Sequence, residues 1–343
     1  MSRNLLSPFA ATVMATLLSG TAVTAEVPRV AADIAPVHSL VARVMAGVGT
    51  PDLIVPPGAS PHAYSLRPSQ AAALQEAGVV FWVTPDLTPW LDGALETLAG
   101  GATVVELLGV PGTQELPLRQ NALFEAHHHD DGHEGEAHDD HDHAENGHKG
   151  HDHEDHADHA EDDHAAGHDH DHAGEHDPHA WLSPQNGAAW LDAIAMTLSE
   201  ADPDNAAAYR ANAAAGQQEL AALTGEIETI LDPVRDGNFI VFHDAYQYFE
   251  AAFDLPASGA ISLSDASDPS PARIAEVQAR VTEQNITCVL SEPQFNPGIV
   301  ASVMEGTAAE TGVLDPLGSD LEPGPMLYPD MLRNLARALA DCL

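Results

Sequence analysis

Basic residues are scarce in this sequence. Its 343 residues hold 12 lysines and arginines against 53 aspartates and glutamates, a formal net charge of -41, and Lys149 is the only lysine. A chain of that sign is repelled by nucleic acid and anionic lipid and attracts cations, so no nucleic-acid partner is expected. Thiols are nearly absent: Cys288 and Cys342 are the only two, and soft thiolate sites of the kind that select copper(I) are not available. There is no His-Glu-x-x-His pattern and no clear base beside an open metal position, which argues against a metal hydrolase and leaves the chain a non-enzyme. Long apolar runs are missing too. The one apolar stretch, 5–20, is too short and too rich in Ala and Thr to span a membrane.

That stretch follows Arg3 and precedes Val23-Thr24-Ala25, small residues where a signal peptidase reads. The pattern is a secretory signal cleaved after Ala25. Glu26 rather than Cys comes next, so no lipid anchor is expected, and the mature chain is expected to be soluble in the periplasm. In an exported chain the even cysteine count favours a Cys288–Cys342 pair over two buried thiols. Such a bridge would tie the last helix to a strand across a loop of about 55 residues.

In the rest of the chain, short β-rich runs alternate with Ala/Leu-rich helical stretches. In the first half strands are expected at 29–34, 53–55, 79–84 and 103–107, with helices at 36–47 and 68–77. A helix is expected at 181–200. Asp202-Pro203 then suits the start of a long one reaching 231, where Leu220, Leu223, Ile227 and Ile230 share a face. The second half repeats the alternation, with strands at 239–242, 257–262, 286–291 and 312–314 and helices at 244–252, 271–284, 297–310 and 328–341. The expected class is α/β: two lobes with mainly parallel sheets flanked by helices, joined by one long rigid helix. The organisation is a signal peptide (1–25), an N-terminal lobe (26–202), a linker helix (203–232) and a C-terminal lobe (233–343).

Between residues 125 and 177 the composition changes to 17 histidines and 20 acidic residues, with almost nothing apolar larger than Ala. Such a segment cannot bury enough surface to offset its conformational entropy and is expected to be a disordered loop. Its histidines, among them His127, His128, His129, His141, His143, His151, His153, His168, His170 and His172, offer many weak, interchangeable metal sites.

Four histidines lie outside it. His62 follows the strand near Val55, His179 follows the acidic segment, and His243 directly follows the strand at 239–242. In open α/β sheets ligands bind beyond the carboxyl ends of strands, so these three can meet across a cleft. Neutral imidazoles in a four-coordinate site suit Zn²⁺, although imidazole also serves nickel and copper(II). For the fourth position Asp315, after the strand at 312–314, comes first and water remains open. Glu292 is expected to orient an imidazole or neutralise charge. His38 is expected as a cap or a supporting residue.

Four motifs carry a family likeness: Gly58-Ala59-Ser60-Pro61-His62-Ala63-Tyr64 with Arg67-Pro68-Ser69; Asp177-Pro178-His179-Ala180-Trp181-Leu182; Phe242-His243-Asp244-Ala245-Tyr246; and Ser291-Glu292-Pro293-Gln294. With the histidine-rich insertion, they make the whole mature chain resemble the metal-specific solute-binding proteins of ABC importers, in the branch known as the high-affinity zinc uptake protein A family. The resemblance implies Zn²⁺ held between two lobes by His62, His179 and His243. Manganese-type relatives typically carry a carboxylate where this chain has His243. Some zinc members place a glutamate just before the first histidine; Pro61 stands there in this chain and cannot ligate, which leaves Asp315 or water. The cysteine pair resembles the disulfide of zinc members. The implied partner is the membrane permease of a zinc ABC importer, a periplasmic zinc chaperone is a second candidate, and the protein is expected to be a monomer. The competing reading is a periplasmic zinc buffer or storage protein that works mainly through the histidine-rich loop.

Overall fold

The computed structural model describes residues 27–119, 176–262 and 269–343. The expected signal peptide and the ten loop histidines named above lie outside the described residues.

Each half of the chain builds a four-stranded parallel sheet. The first contains β1 (Val30–Ala32), β2 (Asp52–Leu53), β3 (Val79–Trp82) and β4 (Thr103–Glu106) in the order β2-β1-β3-β4. The second contains β5 (Phe239–His243), β6 (Ala260–Ser262), β7 (Cys288–Ser291) and β8 (Glu310–Val313) in the matching order β6-β5-β7-β8. The central strands are buried on both faces, so they read as unbroken apolar runs such as Val79-Val80-Phe81-Trp82.

The helices are α1 (Ala35–Val44), α2 (Pro68–Glu76), α3 (Pro89–Leu98), α4 (Pro184–Ala201), α5 (Ala206–Leu231), α6 (Gln247–Phe253), α7 (Pro271–Glu283), α8 (Pro297–Met304) and α9 (Leu327–Cys342). Helix α3 is absent from the sequence reading; it starts at Pro89 and buries Leu91 and Leu95. Helix α4 begins three residues later than the pattern suggests. Ser183 caps it by accepting from the Asn186 amide (3.3 Å), and Pro184 occupies its first turn.

Alternation along the strands sorts the core into three parts. Val80 and Trp82 pack with Leu74, Leu91 and Leu95 on the outer face of the first sheet. Ile240 and Phe242 pack with Val277, Val281 and Val303 on the outer face of the second. Their neighbours Val79, Phe81, Phe239 and Val241 share one continuous apolar core with residues of α1, α4, α5 and α9. The inner core therefore belongs to both lobes.

Helix α5 is the expected long helix. Its 26 residues rise roughly 39 Å. It buries a stripe running from Tyr209 through Ala213, Gly216, Leu220, Leu223 and Ile227 to Leu231. A Cβ at Gly216 would lie 2.9 Å from Leu191 Cδ1, so glycine sets the close approach of α5 to α4. The linker is thus packed along its length against α4, α1 and α9.

Helix α9 crosses back to the first half of the chain. The Tyr328 amide donates to Ser39 Oγ (2.9 Å) and its hydroxyl donates to the Trp181 carbonyl (2.7 Å). Its far end is bonded to β7 through the Cys288–Cys342 disulfide, with Cα atoms 5.7 Å apart and a sequence separation of 54. Replacing either cysteine by serine is expected to lower unfolding stability by about 2–4 kcal/mol. Urea denaturation with and without reductant checks this: reductant should destabilise the parent and leave the serine variant unchanged.

Candidate metal centre

His243 closes β5, is 5% exposed, and stands at the carboxyl end of its sheet. His179 sits just before the short 3₁₀ turn at Ala180–Leu182 and is also 5% exposed. His62 lies in the loop between β2 and α2, which needs a positive φ of 77° at Gly58. That loop is tied at several points. The Trp90 indole of α3 donates to the Pro61 carbonyl (2.6 Å), the His62 amide donates to Ser60 Oγ (3.2 Å), and Gln70 Oε1 accepts from the Arg67 amide (2.8 Å) and from the Tyr64 hydroxyl (3.0 Å).

The three rings converge. Centroids lie 5.4 Å apart for His62–His179, 5.3 Å for His179–His243 and 6.4 Å for His62–His243. One nitrogen from each lies within 4.8 Å of the others. His179 Nδ1 is 2.7 Å from Asp177 Oδ1, and His243 Nδ1 is 2.6 Å from Glu292 Oε1. An ionised carboxylate can only accept, so each Nδ1 carries the proton and each Nε2 keeps its lone pair. The carboxylates thereby select the tautomer that binds metal and fix the ring planes.

These supporting carboxylates are buried. Burial pushes the Asp177 pKa up to about 7, opposed by the His179 amide and by the charge of Arg119. Asp244, next to His243, is likewise pushed up to about 7 by burial against the pull of Arg119. Arg119 donates to Asp244 Oδ1 (2.9 Å) and to Glu250 Oε2 (2.7 Å), joining the segment after β4 to α6 of the other lobe. Two more bonds cross the lobes nearby: the Trp181 indole donates to the Pro316 carbonyl (2.8 Å) and the Tyr248 hydroxyl to the Asp177 carbonyl (2.9 Å).

Two other residues singled out in the sequence lie apart from this trio. His38 does not join the cluster; its Nε2 faces the Pro51 carbonyl at 3.1 Å and pins the segment before β2 to α1. Asp315 is also outside the trio. Its Oδ1 accepts from the Leu317 and Gly318 amides (3.0 Å each) and its Oδ2 from the Ser319 amide (2.5 Å), so both oxygens hold the loop after β8. The acidic insertion also ends earlier than composition suggests. His176 bridges Pro117 in an antiparallel pair, and Asp177 is 1% exposed with its amide donating to the Leu116 carbonyl (2.8 Å).

The sequence reading gave no role to Asp177, Arg119, Tyr246 or Gln294. For Asp177 there was a signal: a carboxylate two residues before a histidine, with proline between, can fold back onto the ring. Tyr246 and Gln294 leave no such trace. The Tyr246 hydroxyl is kept a phenol by burial and by the charges of Glu292 and Asp315, and Gln294 lines the pocket of the three histidines.

Two parallel α/β lobes sharing one inner core, with imidazoles from both converging between them, define a metal-binding protein of the solute-capturing class. The family model described as the periplasmic component A of the zinc-uptake complex matches residues 30–342, and the chain belongs to that family. It is 46% identical to the high-affinity zinc uptake system protein ZnuA of Brucella abortus over 99% of each chain. It is also 46% identical to the protein of that name from Paracoccus denitrificans over 93% of each. The fold is similar to that of the periplasmic zinc-binding protein TroA from Treponema pallidum, with a TM-score of 0.69, 17% identity, and coverage of 92% of this chain and 98% of that one.

Proposed function

We propose that this protein captures Zn²⁺ in the periplasm through the imidazoles of His62, His179 and His243 and delivers it to the membrane permease of an ABC importer. The observation that carries the reading is the convergence of three imidazole nitrogens within 4.8 Å of one another at the lobe junction. The names of the Brucella and Paracoccus relatives support zinc as the cargo. A donor set of three nitrogens suits zinc better than manganese, which prefers more oxygen. In this reading export follows cleavage after Ala25, the protein acts as a monomer, and a periplasmic zinc chaperone is a second partner. The histidine-rich loop gathers Zn²⁺ loosely and passes it to the fixed site. Because the lobes share a core along α5, movement between them on loading and release is small.

The test is a competitive zinc titration of the mature protein lacking residues 125–174. The deletion stops there because Asp177 is needed to hold His179. One tight site per chain is expected. Its affinity should fall as pH drops below about 6.5, because protons compete for the imidazole lone pairs. Loss of tight binding in the shortened protein, or affinity that stays flat from pH 7.5 to 5, would move the function to the loop.

A further inference from the structure

Gln294 adds a polar atom to the metal pocket that the three histidines do not account for. Gln294 lines the same pocket as His62, His179, His243 and Glu292, and its Oε1 is buried without a hydrogen-bond partner among the described residues. Leaving an amide oxygen buried and unpaired costs free energy, and such groups mark functional positions or absent partners.

Its placement is built into the loop. The Phe295 amide donates to the Glu292 carbonyl (3.2 Å), closing a tight turn with Pro293 and Gln294 at its centre. Proline presets the backbone for that position. Phe295 then stacks on Phe242 with centroids 4.2 Å apart and planes 10° apart, and meets His243 edge-on at 5.5 Å. The turn is therefore anchored to β5, the strand that ends in His243, and one short segment places two oxygens with different tasks. Glu292 Oε1 faces the outer nitrogen of His243. Gln294 lines the pocket and carries the buried, unpartnered Oε1.

We infer that Gln294 is the positioning residue for the fourth position of the captured ion, accepting a hydrogen bond from a water bound there. This rests on the three-histidine reading and extends it. Three imidazoles leave a four-coordinate zinc one ligand short. Asp315 gives both oxygens to backbone amides, and Glu292 is taken up by the amide and the Nδ1–H of His243 on Oε1, with the Tyr246 hydroxyl beside the same carboxylate. A water on the ion has acidified protons and needs an acceptor. A neutral carboxamide supplies one without adding charge and without deprotonating the water, so it holds the ligand in place but does not activate it for attack. The unpaired Gln294 Oε1 is the acceptor such a water would satisfy.

The experiment compares Gln294→Leu, Gln294→Glu and His243→Ala in the full mature chain. The loop histidines are common to all, so differences report the pocket. Gln294→Leu removes the acceptor at similar volume. It should weaken zinc binding tenfold to a hundredfold and shift the visible bands of the Co²⁺-loaded protein. Its ion-free melting temperature should be equal to or above that of the parent, because an unpaired oxygen has been removed. Gln294→Glu keeps an acceptor and should retain binding. Gln294→Leu with affinity within twofold of the parent and an unchanged Co²⁺ spectrum overturns the inference. So does a lower ion-free melting temperature that accounts for the whole loss in affinity. If His243→Ala binds as tightly as the parent, the three-histidine reading itself fails, whatever Gln294 does.

Discussion

Replacing His243 by alanine is expected to weaken zinc binding of the protein lacking residues 125–174 at least a hundredfold. The substitution removes one of three nitrogen donors that lie within 4.8 Å of one another. It also strips Glu292 of the Nδ1–H partner at 2.6 Å, leaving a carboxylate that is 4% exposed to take up a proton or turn toward the ion. Neither response restores an imidazole lone pair in its set direction. A hundredfold loss corresponds to about 2.7 kcal/mol of binding free energy. Changing only the support, as in Glu292→Gln, is expected to cost less, between tenfold and a hundredfold, because the ring remains and only its orientation and basicity suffer. Chelator competition reads both variants. If the two lose equally little, the trio does not hold the ion.

The largest stability effect is expected at Arg119. Its guanidinium spans Asp244 and Glu250, whose side chains are each 4% exposed while its own is 21% exposed. Replacing it with glutamine leaves two buried carboxylates without their cation, a change that costs about 3–5 kcal/mol in comparable buried pairs. Glu250 also accepts from the Ala257 amide (3.1 Å), so its position matters beyond the ion pair. Arg119→Lys should recover only part of the loss, because an ammonium cannot form the forked contact with two carboxylates. Denaturant unfolding of the ion-free protein tests this, and a loss under 1 kcal/mol for Arg119→Gln would show that the clamp contributes little. Because Arg119 joins the segment after β4 to α6, its removal should also loosen the tie between lobes on the side of Asp177 and His179.

Much of this architecture was legible in the sequence. The apolar runs at 79–84 and 239–242, the glycine and proline punctuation around them, and the long Ala-rich stretch after Asp202-Pro203 set out two parallel sheets and a long helix, because local periodicity and breakers act over a few residues. Helix α3 escaped notice: its Leu91 and Leu95 make a short stripe, and Pro89 and Gly93 read as loop residues until the outer face of the first sheet gives that stripe something to cover. Helix α9 reads as the last element of the second lobe, and only its contacts with Ser39 and Trp181 show that it also closes the first.

The site divides in the same way. Histidines placed after strand ends are a local pattern, so His62, His179 and His243 could be singled out without coordinates. The fourth position could not be settled that way, because it depends on where carboxylate oxygens point. Asp315 and Glu292 both follow strands, yet one turns to its own loop amides and the other to an imidazole. By itself, the sequence determined the fold class, the long helix and the choice of imidazole as the metal-binding chemistry, since these follow from residue type, periodicity and short-range order. Tertiary structure alone decided the shared core, the Arg119 clamp, the pairing of Glu292 with His243 and the unpaired oxygen of Gln294. Those depend on side chains distant in sequence meeting within hydrogen-bond range, and no local pattern encodes that distance.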